Sequence, residues 1–339
     1  MTAMGRVIAM GDPAYFSVIG GANPHTRNWL GMRKQVDPES ARSQWHALAR
    51  ELIAHGCEVY VIAPHPRLSG LVYPANAGFL YPLEFEPGEQ PSAGRPKIFY
   101  LSNLLPSRAA EREVYGPFLR ALGYETREIA ARFEGEADFF PAAGRMIFTY
   151  GSVERQRFVP RFGLPPWRRI YGFRSQYRAL EELRPIAAPK EVLPLELVLE
   201  AHYHGDTVIC SFGPAREFLL AYLEGLSAAA RSLLRETFGR QIIPLSARDA
   251  EVYAANSFQV ENRGRLYLFM PEGVTDELLS KVRERSVEPV LINVSEFLRK
   301  GGGSIKCMIL DLGPVEEQPA EQQAAAARAE RSYARLYGP

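Results

Sequence analysis

The sequence predicts an α/β fold in which five helix-then-strand units form a closed ring around a central site. An amphipathic helical segment followed by a β-type segment occurs five times. A short polar cluster follows each β-type segment at the same relative point. The units recur every ~46 to ~67 residues, which is too long and irregular for a stacked solenoid. A doubly wound sheet is the alternative, but it would gather its ligand groups at one switch point.

The first unit shows how each element is recognised. Trp45, Leu48 and Leu52 fall on one helical stripe within residues 38–55, Gly56 ends the helix, and CEVYVIA alternates like a strand. The other four units repeat this order, with helix and strand at 111–122 and YETREIA, 175–183 and EVLPLELV, 228–238 and QIIPLS, and 275–285 and VEPVLINVS. The repeated order predicts the scaffold of the whole fold.

The polar clusters predict the position of a functional site. They are Asn76 in VYPANAG, Glu134 and Asp138 in FEGEAD, His204 and Asp206 in YHGDT, Asn256 in YAANS, and Cys307 in GGGSIKC. Each unit supplies one cluster, so five units around a common axis would bring these side chains together at the centre.

Composition and charge exclude several classes of protein. The 339 residues include 40 Lys and Arg against 39 Asp and Glu, so no basic excess is present to neutralise nucleic acid phosphates. No apolar stretch approaches the ~20 residues that cross a bilayer, and the N-terminal segment lacks the pattern of a secretion signal. Three cysteines do not make a disulfide framework. These features predict a cytoplasmic protein without a nucleic acid or membrane partner.

The expected organisation is one catalytic domain over residues 1–313 and a polar helical or disordered tail over 314–339. Residues 84–97 are rich in Pro, Gly and charge and are expected to form a surface insertion. Residues 151–170 are basic and aromatic and form a second insertion, as a lid over the site or an oligomer contact. A homo-oligomer is compatible with this organisation.

Cys307 is the candidate nucleophile, and Lys306 beside it would lower the pKa of the thiol. The three glycines before it predict that the backbone approaches a substrate closely. A buried, inert cysteine is the alternative. His204 is the candidate general acid and base, because a Cys–His pair with nearby acids is typical of nucleophilic catalysis.

His202, His204 and Asp206 have the spacing of alternate strand residues, which would point all three side chains the same way. Such a set would suit a metal, but no CxxC or HExxH pair supports zinc. We therefore expect no metal and no cofactor, and we expect His202 to be structural.

Charged residues elsewhere provide candidates for binding a charged substrate. FEGEAD holds Glu134, Glu136 and Asp138 among phenylalanines, so these acids are expected to be partly buried and paired with a cation. Arg108 and Arg174 are candidates for gripping a carboxylate through paired hydrogen bonds. The alternative for each is a solvated surface position.

The six motifs VYPANAG, FEGEAD, GFRS, YHGDT, YAANS and GGGSIKC, in this order, resemble the amidinotransferase and guanidino-modifying enzyme superfamily. Arginine deiminases, dimethylarginine dimethylaminohydrolases and arginine dihydrolases belong to it, and the resemblance runs from about residue 11 to 314. It implies a pentein fold, a five-fold pseudosymmetric α/β propeller of ββαβ modules. This agrees with the five units identified from the pattern of the chain.

The resemblance also implies roles for single residues. Cys307 resembles the nucleophile, His204 the general acid and base, and Glu134 the acid that orients the histidine, with Glu136 as the alternative because FEGEAD is one residue longer than the usual EGGD. The residues that would bind substrate are Asp206 and Asp138 at the guanidinium, Arg108 and Arg174 at the α-carboxylate, Asn23 at the entrance, and Asn76 beside the reacting carbon.

Asn76 departs from the acidic residue of deiminases and methylarginine hydrolases and resembles the dihydrolase-like branch. An amide can hydrogen-bond a neutral ureido group without leaving a carboxylate unpaired. The expected function is metal-free hydrolysis of arginine or a derivative through a thiouronium intermediate, with ammonia and citrulline or ornithine as products. The alternatives are an amidinotransferase, which would use an amine in place of water, and a non-catalytic pentein that binds a macromolecule.

Overall fold

The computed structural model describes residues 5–19, 23–28, 30, 32–84, 96–154, 157–161, 164–319 and 322–338. Most of the expected insertion at 84–97 lies outside these residues. The strands are β1 (Arg6–Gly11), β2 (Cys57–Ile62), β3 (Gly78–Tyr81), β4 (Ile98–Leu101), β5 (Glu125–Glu128), β6 (Phe139–Ala142), β7 (Arg145–Tyr150), β8 (Arg157–Arg161), β9 (Leu164–Ile170), β10 (Val192–Glu196), β11 (Ile209–Phe212), β12 (Phe218–Ala221), β13 (Ile242–Pro244), β14 (Phe258–Asn262), β15 (Arg265–Pro271), β16 (Val287–Ile292) and β17 (Leu310–Pro314).

The α-helices are α1 (Pro38–Ala54), α2 (Arg112–Ala121), α3 (Leu180–Ala187), α4 (Ala228–Phe238), α5 (Ala247–Glu251), α6 (Asp276–Arg283), α7 (Ser295–Gly301), α8 (Gln322–Arg331) and α9 (Tyr333–Tyr337). Side chains that accept from backbone N–H groups begin three of the helices of the repeat: Asp37 caps α1, Ser227 caps α4 and Thr275 caps α6. The third helix runs beyond the predicted 175–183, because Pro185 lies inside it rather than at its end. None of the helices in the described part of the chain is both long and apolar enough to cross a membrane.

Each of the five predicted units is built around a three-stranded sheet. The sheets have the orders β17–β1–β2, β3–β4–β5, β6–β7–β10, β11–β12–β13 and β14–β15–β16, and we number the modules 1 to 5 in this order. In every sheet the first two strands pair antiparallel and the last two pair parallel across a helix. Module 1 takes its first strand, β17, from the C-terminal end, so the pairing of β17 with β1 closes the chain on itself.

Hydrophobic packing shows that the modules form a closed cycle. Alternate residues of β1 face opposite neighbours, since Val7 and Ala9 pack with module 2 while Ile8 and Met10 pack with module 5. The buried hydrophobic residues form five clusters, and each cluster contains residues of two successive modules. One residue from each of the two modules is given for each cluster: Trp45 and Phe269, Tyr60 and Phe99, Phe79 and Phe148, Ile147 and Leu219, and Leu220 and Leu268. The core is therefore divided among the five module boundaries, and the polar clusters are left for the centre.

The segments outside the modules take two forms. The expected insertion at 151–170 contains the antiparallel hairpin of β8 and β9. The tail is helical, as one of the two expectations had it, and forms α8 and α9. Tyr333 is buried against Trp45 with ring centroids 5.9 Å apart, and the His46 ring nitrogen Nδ1 lies 2.8 Å from its hydroxyl. Tyr337 also packs on Trp45, at 5.5 Å, so two tyrosines anchor the tail to α1.

Candidate active site

The polar clusters lie at equivalent points of the five modules. Four are in short 3-10 turns that precede the first strand of a module, at Pro74–Ala77, Gly135–Ala137, Gly205–Thr207 and Lys306–Met308, and Asn256 precedes β14 in the same way. The turns contradict the expectation of an extended strand around His204. Because the chain turns at Glu200–His202 and again at Gly205–Thr207, His202 is directed to the Thr207 carbonyl oxygen, 3.2 Å from its Nδ1. His202 is structural, as expected.

Cys307 is buried and held by partners from two other modules. Its Sγ lies 3.2 Å from Asn256 Nδ2 and 3.4 Å from Asp206 Oδ2. The Asn256 Oδ1 accepts from the backbone N–H groups of Cys307 and Ser304, each at 3.1 Å. Burial raises the pKa of the Cys307 thiol well above its usual value, and the negative charge of Asp206 raises it further. The resting group is therefore a thiol that donates to Asp206.

The expectation that Lys306 lowers the pKa of the Cys307 thiol is wrong. The Lys306 Nζ forms an ion pair with the Glu136 carboxylate instead, and it also contacts the Ile309 carbonyl oxygen at 3.4 Å. Its charge is thereby compensated by a carboxylate, and Asp206 dominates the electrostatics of the thiol. A nucleophilic thiolate needs another source of positive charge, which a cationic substrate would bring.

His204 and Glu134 form a buried pair beside the thiol. The His204 Nε2 lies 2.9 Å from Glu134 Oε2, and Glu134 Oε1 accepts from the Leu105 N–H at 3.2 Å. Burial alone would raise the pKa of Glu134, but the hydrogen bond and charge of His204, with the charges of Arg108 and Arg174, lower it to about 2. Glu134 is thus ionised and fixes Nε2 as the protonated nitrogen of the ring.

The two glutamates of FEGEAD have different partners. Glu134 faces His204, whereas Glu136 pairs with Lys306 and accepts from the Asp311 N–H at 2.9 Å. The positive φ of Gly135 turns the chain between them, so the side chains point to different places. The geometry therefore favours Glu134 over Glu136 as the acid that orients the histidine.

Asp138 braces the site and does not face the substrate cavity, in contrast to its expected binding role. Its carboxylate accepts from the Thr149 hydroxyl at 2.7 Å, the Ser175 hydroxyl at 2.6 Å and the Gly205 N–H at 2.9 Å. Gly205 lies between His204 and Asp206, so these bonds fix the loop that carries both. The physical reason for the difference is that a buried carboxylate is satisfied by the nearest donors of its own chain.

A cavity of about 230 Å³ opens onto the thiol. The expected site residues that line it are Asn23, Asn76, Arg108, Glu134, Arg174, His204 and Cys307. Asp206 borders a second cavity of about 350 Å³ together with Glu136 and Lys306. The Asp206 Oδ1 is buried and has no hydrogen-bond partner among the described residues. An orphaned carboxylate oxygen beside the thiol is the kind of acceptor that a guanidinium N–H would satisfy.

Gly301 and Gly303 of the run before Cys307 line the same cavity as the sulfur, and the run is also required by packing against the chain. A Cβ on Gly301 would lie 1.8 Å from the Tyr73 hydroxyl oxygen, and one on Gly303 would lie 2.5 Å from the Tyr73 ring. A Cβ on Gly302 would meet the Asn23 side chain at 2.8 Å. The absence of side chains lets Asn23 donate to the Gly301 carbonyl at 2.8 Å and holds the cavity wall in place.

The outer part of the cavity contains a buried arginine. Arg174 donates to the Gly172 carbonyl at 2.8 Å, and its guanidinium carbon lies 4.5 Å from the centre of the Tyr203 ring. Tyr203 in turn donates to the Gly302 carbonyl at 2.8 Å. Arg174 is thus fixed at the cavity by an aromatic face and a backbone oxygen, which suits it to receive an anionic group.

The sequence analysis placed Asn256 among the polar clusters at the centre but gave it no role, and it did not identify Ser175 or Glu111. The contacts of Asn256 with the Cys307 sulfur and backbone have no signal in the sequence. Ser175 links Asp138 to the Glu134 N–H, which lies 3.0 Å from its hydroxyl. Glu111 stands three residues after Arg108, a spacing that fits an ion pair on one turn. Among the described residues, no three His, Cys, Asp or Glu side chains are grouped so as to hold a metal ion.

Comparison with known proteins identifies similar chains. A family model described as N,N dimethylarginine dimethylhydrolase, eukaryotic, matches residues 183–313. A N(G),N(G)-dimethylarginine dimethylaminohydrolase of Mycobacterium tuberculosis is 28% identical over 312 residues, which cover 91% of this chain and 86% of the relative. The bifunctional arginine dihydrolase/ornithine cyclodeaminase AgrE of Nostoc sp. is 25% identical over 310 residues, which cover 89% of this chain and 37% of AgrE.

Solved structures show the same architecture. The substrate-bound N-terminal domain of ArgZ, a cyanobacterial arginine dihydrolase, has a TM-score of 0.74 and 21% identity, with 91% of this chain and 98% of that chain covered. A dimethylarginine dimethylaminohydrolase variant with an S-methyl-L-thiocitrulline adduct has a TM-score of 0.64 and 17% identity, with 91% and 100% covered. These likenesses confirm the predicted five-module fold.

Proposed function

We propose that the chain is a guanidino-group modifying enzyme similar to dimethylarginine dimethylaminohydrolases and arginine dihydrolases, and that it hydrolyses a guanidino C–N bond of arginine or an arginine derivative. The observation that carries this proposal is the convergence of four modules on one thiol. Cys307 lies 3.4 Å from the Asp206 carboxylate, while the His204–Glu134 pair and Asn76 line the same cavity as the sulfur.

The guanidinium cation activates its own nucleophile. Glu134 lines the cavity and Asp206 contacts the thiol from behind it, so both place negative charge near the sulfur, and the unpartnered Asp206 Oδ1 is the acceptor that a guanidinium N–H would satisfy. The bound cation offsets the charge of Asp206 and lowers the pKa of the Cys307 thiol, which Asp206 otherwise raises. The thiolate then forms close to the carbon that it attacks.

The formation of the covalent intermediate and its hydrolysis use the same histidine. The Cys307 thiol gives its proton to His204, the sulfur attacks the guanidinium carbon, and His204, held by Glu134, passes that proton to the departing amine as the C–N bond breaks. A thiouronium-type intermediate remains on the sulfur. Water that gives a proton to His204 then attacks this carbon, the C–S bond breaks, and a ureido product leaves the regenerated thiol. The balance for arginine is one water consumed, with one ammonia and one citrulline formed.

Asn76 extends the proposal to a second hydrolysis. An acidic residue at this position would face a neutral ureido oxygen as an unpaired buried charge, whereas an amide hydrogen-bonds to it. Citrulline would then be held long enough to lose its second amine, so that arginine and two waters give ornithine, carbon dioxide and two ammonia. Arg174 and Asn23 bind the amino acid end of the substrate in this proposal.

Product analysis by mass spectrometry tests the proposal, with the pure protein and arginine and without an added amine. We expect ornithine with two ammonia, and no product from the Cys307→Ala variant. Citrulline alone would contradict the second hydrolysis but not the first. Turnover that depends on an added amine would replace hydrolysis by amidino transfer. Full activity of Cys307→Ala would overturn the covalent mechanism.

A further inference from the structure

A chain of three side chains leads from helix α2 to the floor of the cavity. Glu111 is buried and accepts from Arg108 in a forked arrangement, with Nε at 2.9 Å and Nη2 at 2.7 Å. The Arg108 Nη1 donates to Asn76 Oδ1 at 2.7 Å, and Nη2 also donates to the Gly70 carbonyl at 3.0 Å. Asn76 is 2% exposed, so this contact is made without competition from water.

The arginine determines which end of the Asn76 amide faces the substrate. A guanidinium has only N–H donors, so the amide must turn its oxygen to Arg108 and its nitrogen away. The Asn76 Nδ2 then lies 3.4 Å from His204 Nε2. Since Nε2 already gives its hydrogen to the ionised Glu134, it does not accept one from Asn76. Because Asn76 lines the same cavity as Cys307, its amide N–H groups are left as donors for a group bound there.

A donor at this place discriminates between the two substrates of successive hydrolyses. The guanidinium of arginine carries only N–H groups and gains nothing from a further donor. The ureido group of citrulline carries an oxygen, and so does the intermediate that forms when water attacks the thiouronium carbon. Asn76 in this orientation stabilises the oxygen-bearing species and not the first guanidinium complex.

Arg108 is occupied by this arrangement. Its Nε hydrogen, both Nη2 hydrogens and one Nη1 hydrogen are directed to Glu111, Gly70 and Asn76. A paired contact with a substrate carboxylate, the role implied by the superfamily resemblance, would require breaking these bonds. Gly70 packs directly on this ion pair, because a Cβ there would lie 2.1 Å from Glu111 Oε1 and 2.8 Å from Arg108 Nε.

We propose that Glu111 and Arg108 are positioning residues, which hold the Asn76 amide as a hydrogen-bond donor and so make the site specific for a ureido oxygen in the second hydrolysis. The inference rests on the function proposed above. It adds the groups that make the site favour the oxygen-bearing species of the second hydrolysis over the guanidinium of the first. Glu111 acts through Arg108, and Arg108 acts on the Asn76 amide; its Nη1 also lies 3.9 Å from Glu134 Oε2, a contact that would affect both hydrolyses alike.

The test is the Glu111→Gln variant, which keeps the size of the side chain but opposes an amide NH2 to the arginine donors. We expect ornithine formation from citrulline to fall at least tenfold more than citrulline formation from arginine, so that citrulline accumulates. The Arg108→Lys variant should shift the ratio the same way, because a lysine keeps the charge but not the fork. Glu113→Gln, an exposed change of the same kind on α2, is the control and should leave the ratio unchanged.

Several outcomes separate this inference from the proposed function. Equal losses of both steps in Glu111→Gln would show a merely structural role and overturn the inference while leaving hydrolysis intact. A rise in KM for arginine in Arg108→Lys, with an unchanged product ratio, would return Arg108 to the substrate carboxylate. In the Cys307→Ala background, calorimetry should show that Glu111→Gln weakens citrulline binding more than arginine binding. If Glu111→Gln weakened the binding of citrulline and of arginine equally, the inference would be overturned even without turnover.

Discussion

Cys307, the candidate nucleophile, is held as a thiol by its surroundings. Burial and the Asp206 carboxylate both raise the pKa of the Cys307 thiol, while burial raises the pKa of Asp206 to about 6. A neutral electrophile therefore meets a thiol, and a cationic one carries the charge that releases the proton. Selectivity between them is a property of two side chains 3.4 Å apart.

Asp206→Asn should reverse the preference of Cys307 for cationic reagents. Removing the negative charge of Asp206 lowers the pKa of the Cys307 thiol. At a fixed pH below the pKa, the fraction of thiolate rises about tenfold for each pKa unit. Alkylation by neutral iodoacetamide at pH 8 should accelerate several-fold, while inactivation by the cationic 2-chloroacetamidine should slow. Mass spectrometry of labelled protein measures both rates.

The other cysteines do not disturb this measurement, since burial raises the pKa of both Cys57 and Cys210 to about 12. The Cys307→Ala variant gives the background labelling. An unchanged ratio of the two rates would show that Asp206 does not control the thiol.

The short turns before each module are the elements that place the site. Gly135 shows how contacts to another module fix such a turn. It has φ +64°, and a Cβ there would lie 2.6 Å from the carbonyl oxygens of both Ala75 and Gly78. The turn that carries Glu134 is thus packed directly on the turn that carries Asn76, backbone against backbone.

Gly135→Ala should cost far more stability than Gly144→Ala. Both glycines have positive φ, with a penalty of roughly 1–2 kcal/mol for a side chain, but a Cβ on Gly144 would meet nothing within 4 Å. The backbone clash at Gly135 should add about 1–3 kcal/mol, since no flexible side chain can move away. Urea titration of both variants measures the difference. Equal losses would show that only the backbone angle matters.

Local patterns predicted the elements well and their contacts poorly. The helix at 228–238 was predicted from its stripe and its final glycine, and α4 has those bounds. The turns around His202 and Asp206 were not predicted from the sequence. Their shape depends on Asp138, Thr149 and Ser175, which belong to module 3. A hydrogen bond between residues 67 apart, such as that of Gly205 to Asp138, leaves no period in the sequence.

At the scale of the molecule, the ring is closed by β17 pairing with β1, which the repeat alone did not predict. The pattern identified five helix–strand units, but it held no information that residues about 305 apart would form one sheet. The closure includes a buried ion pair, with Arg6 Nε donating to Asp311 Oδ1 at 2.7 Å. Burial would raise the pKa of Asp311, but the charge and hydrogen bond of Arg6 lower it below the usual value.

Asp311→Asn should destabilise the ring and weaken its dependence on acid. The pKa of this carboxyl is lower in the folded protein than in the unfolded chain, where it is ~4. The carboxyl therefore stabilises the folded state above pH ~4, and this stabilisation is lost as the pH falls through the pKa of the folded state. The variant should lose about 3 kcal/mol at pH 7, since Arg6 stays buried without this partner. It should lose less on going to pH 3 than the unmodified protein does.

Urea titrations at the two pH values measure these changes. Glu191→Gln, which breaks an exposed pair with Arg145, is the matched control and should cost under about 1 kcal/mol. Parallel acid curves for Asp311→Asn and the unmodified protein would contradict a role for Asp311 in the acid dependence.

The position of Cys307, three residues before β17, also has a consequence during synthesis. A ribosome translates modules 2 to 5 and most of module 1 before it reaches the sulfur. The thiol then meets Asn256 and Asp206 only when the last strand docks beside the first. A chain without β17 would hold His204, Glu134 and the Cys307 sulfur, but not the strand pairing that brings the sulfur to Asn256 and Asp206, so under the proposed function we expect it to be inactive.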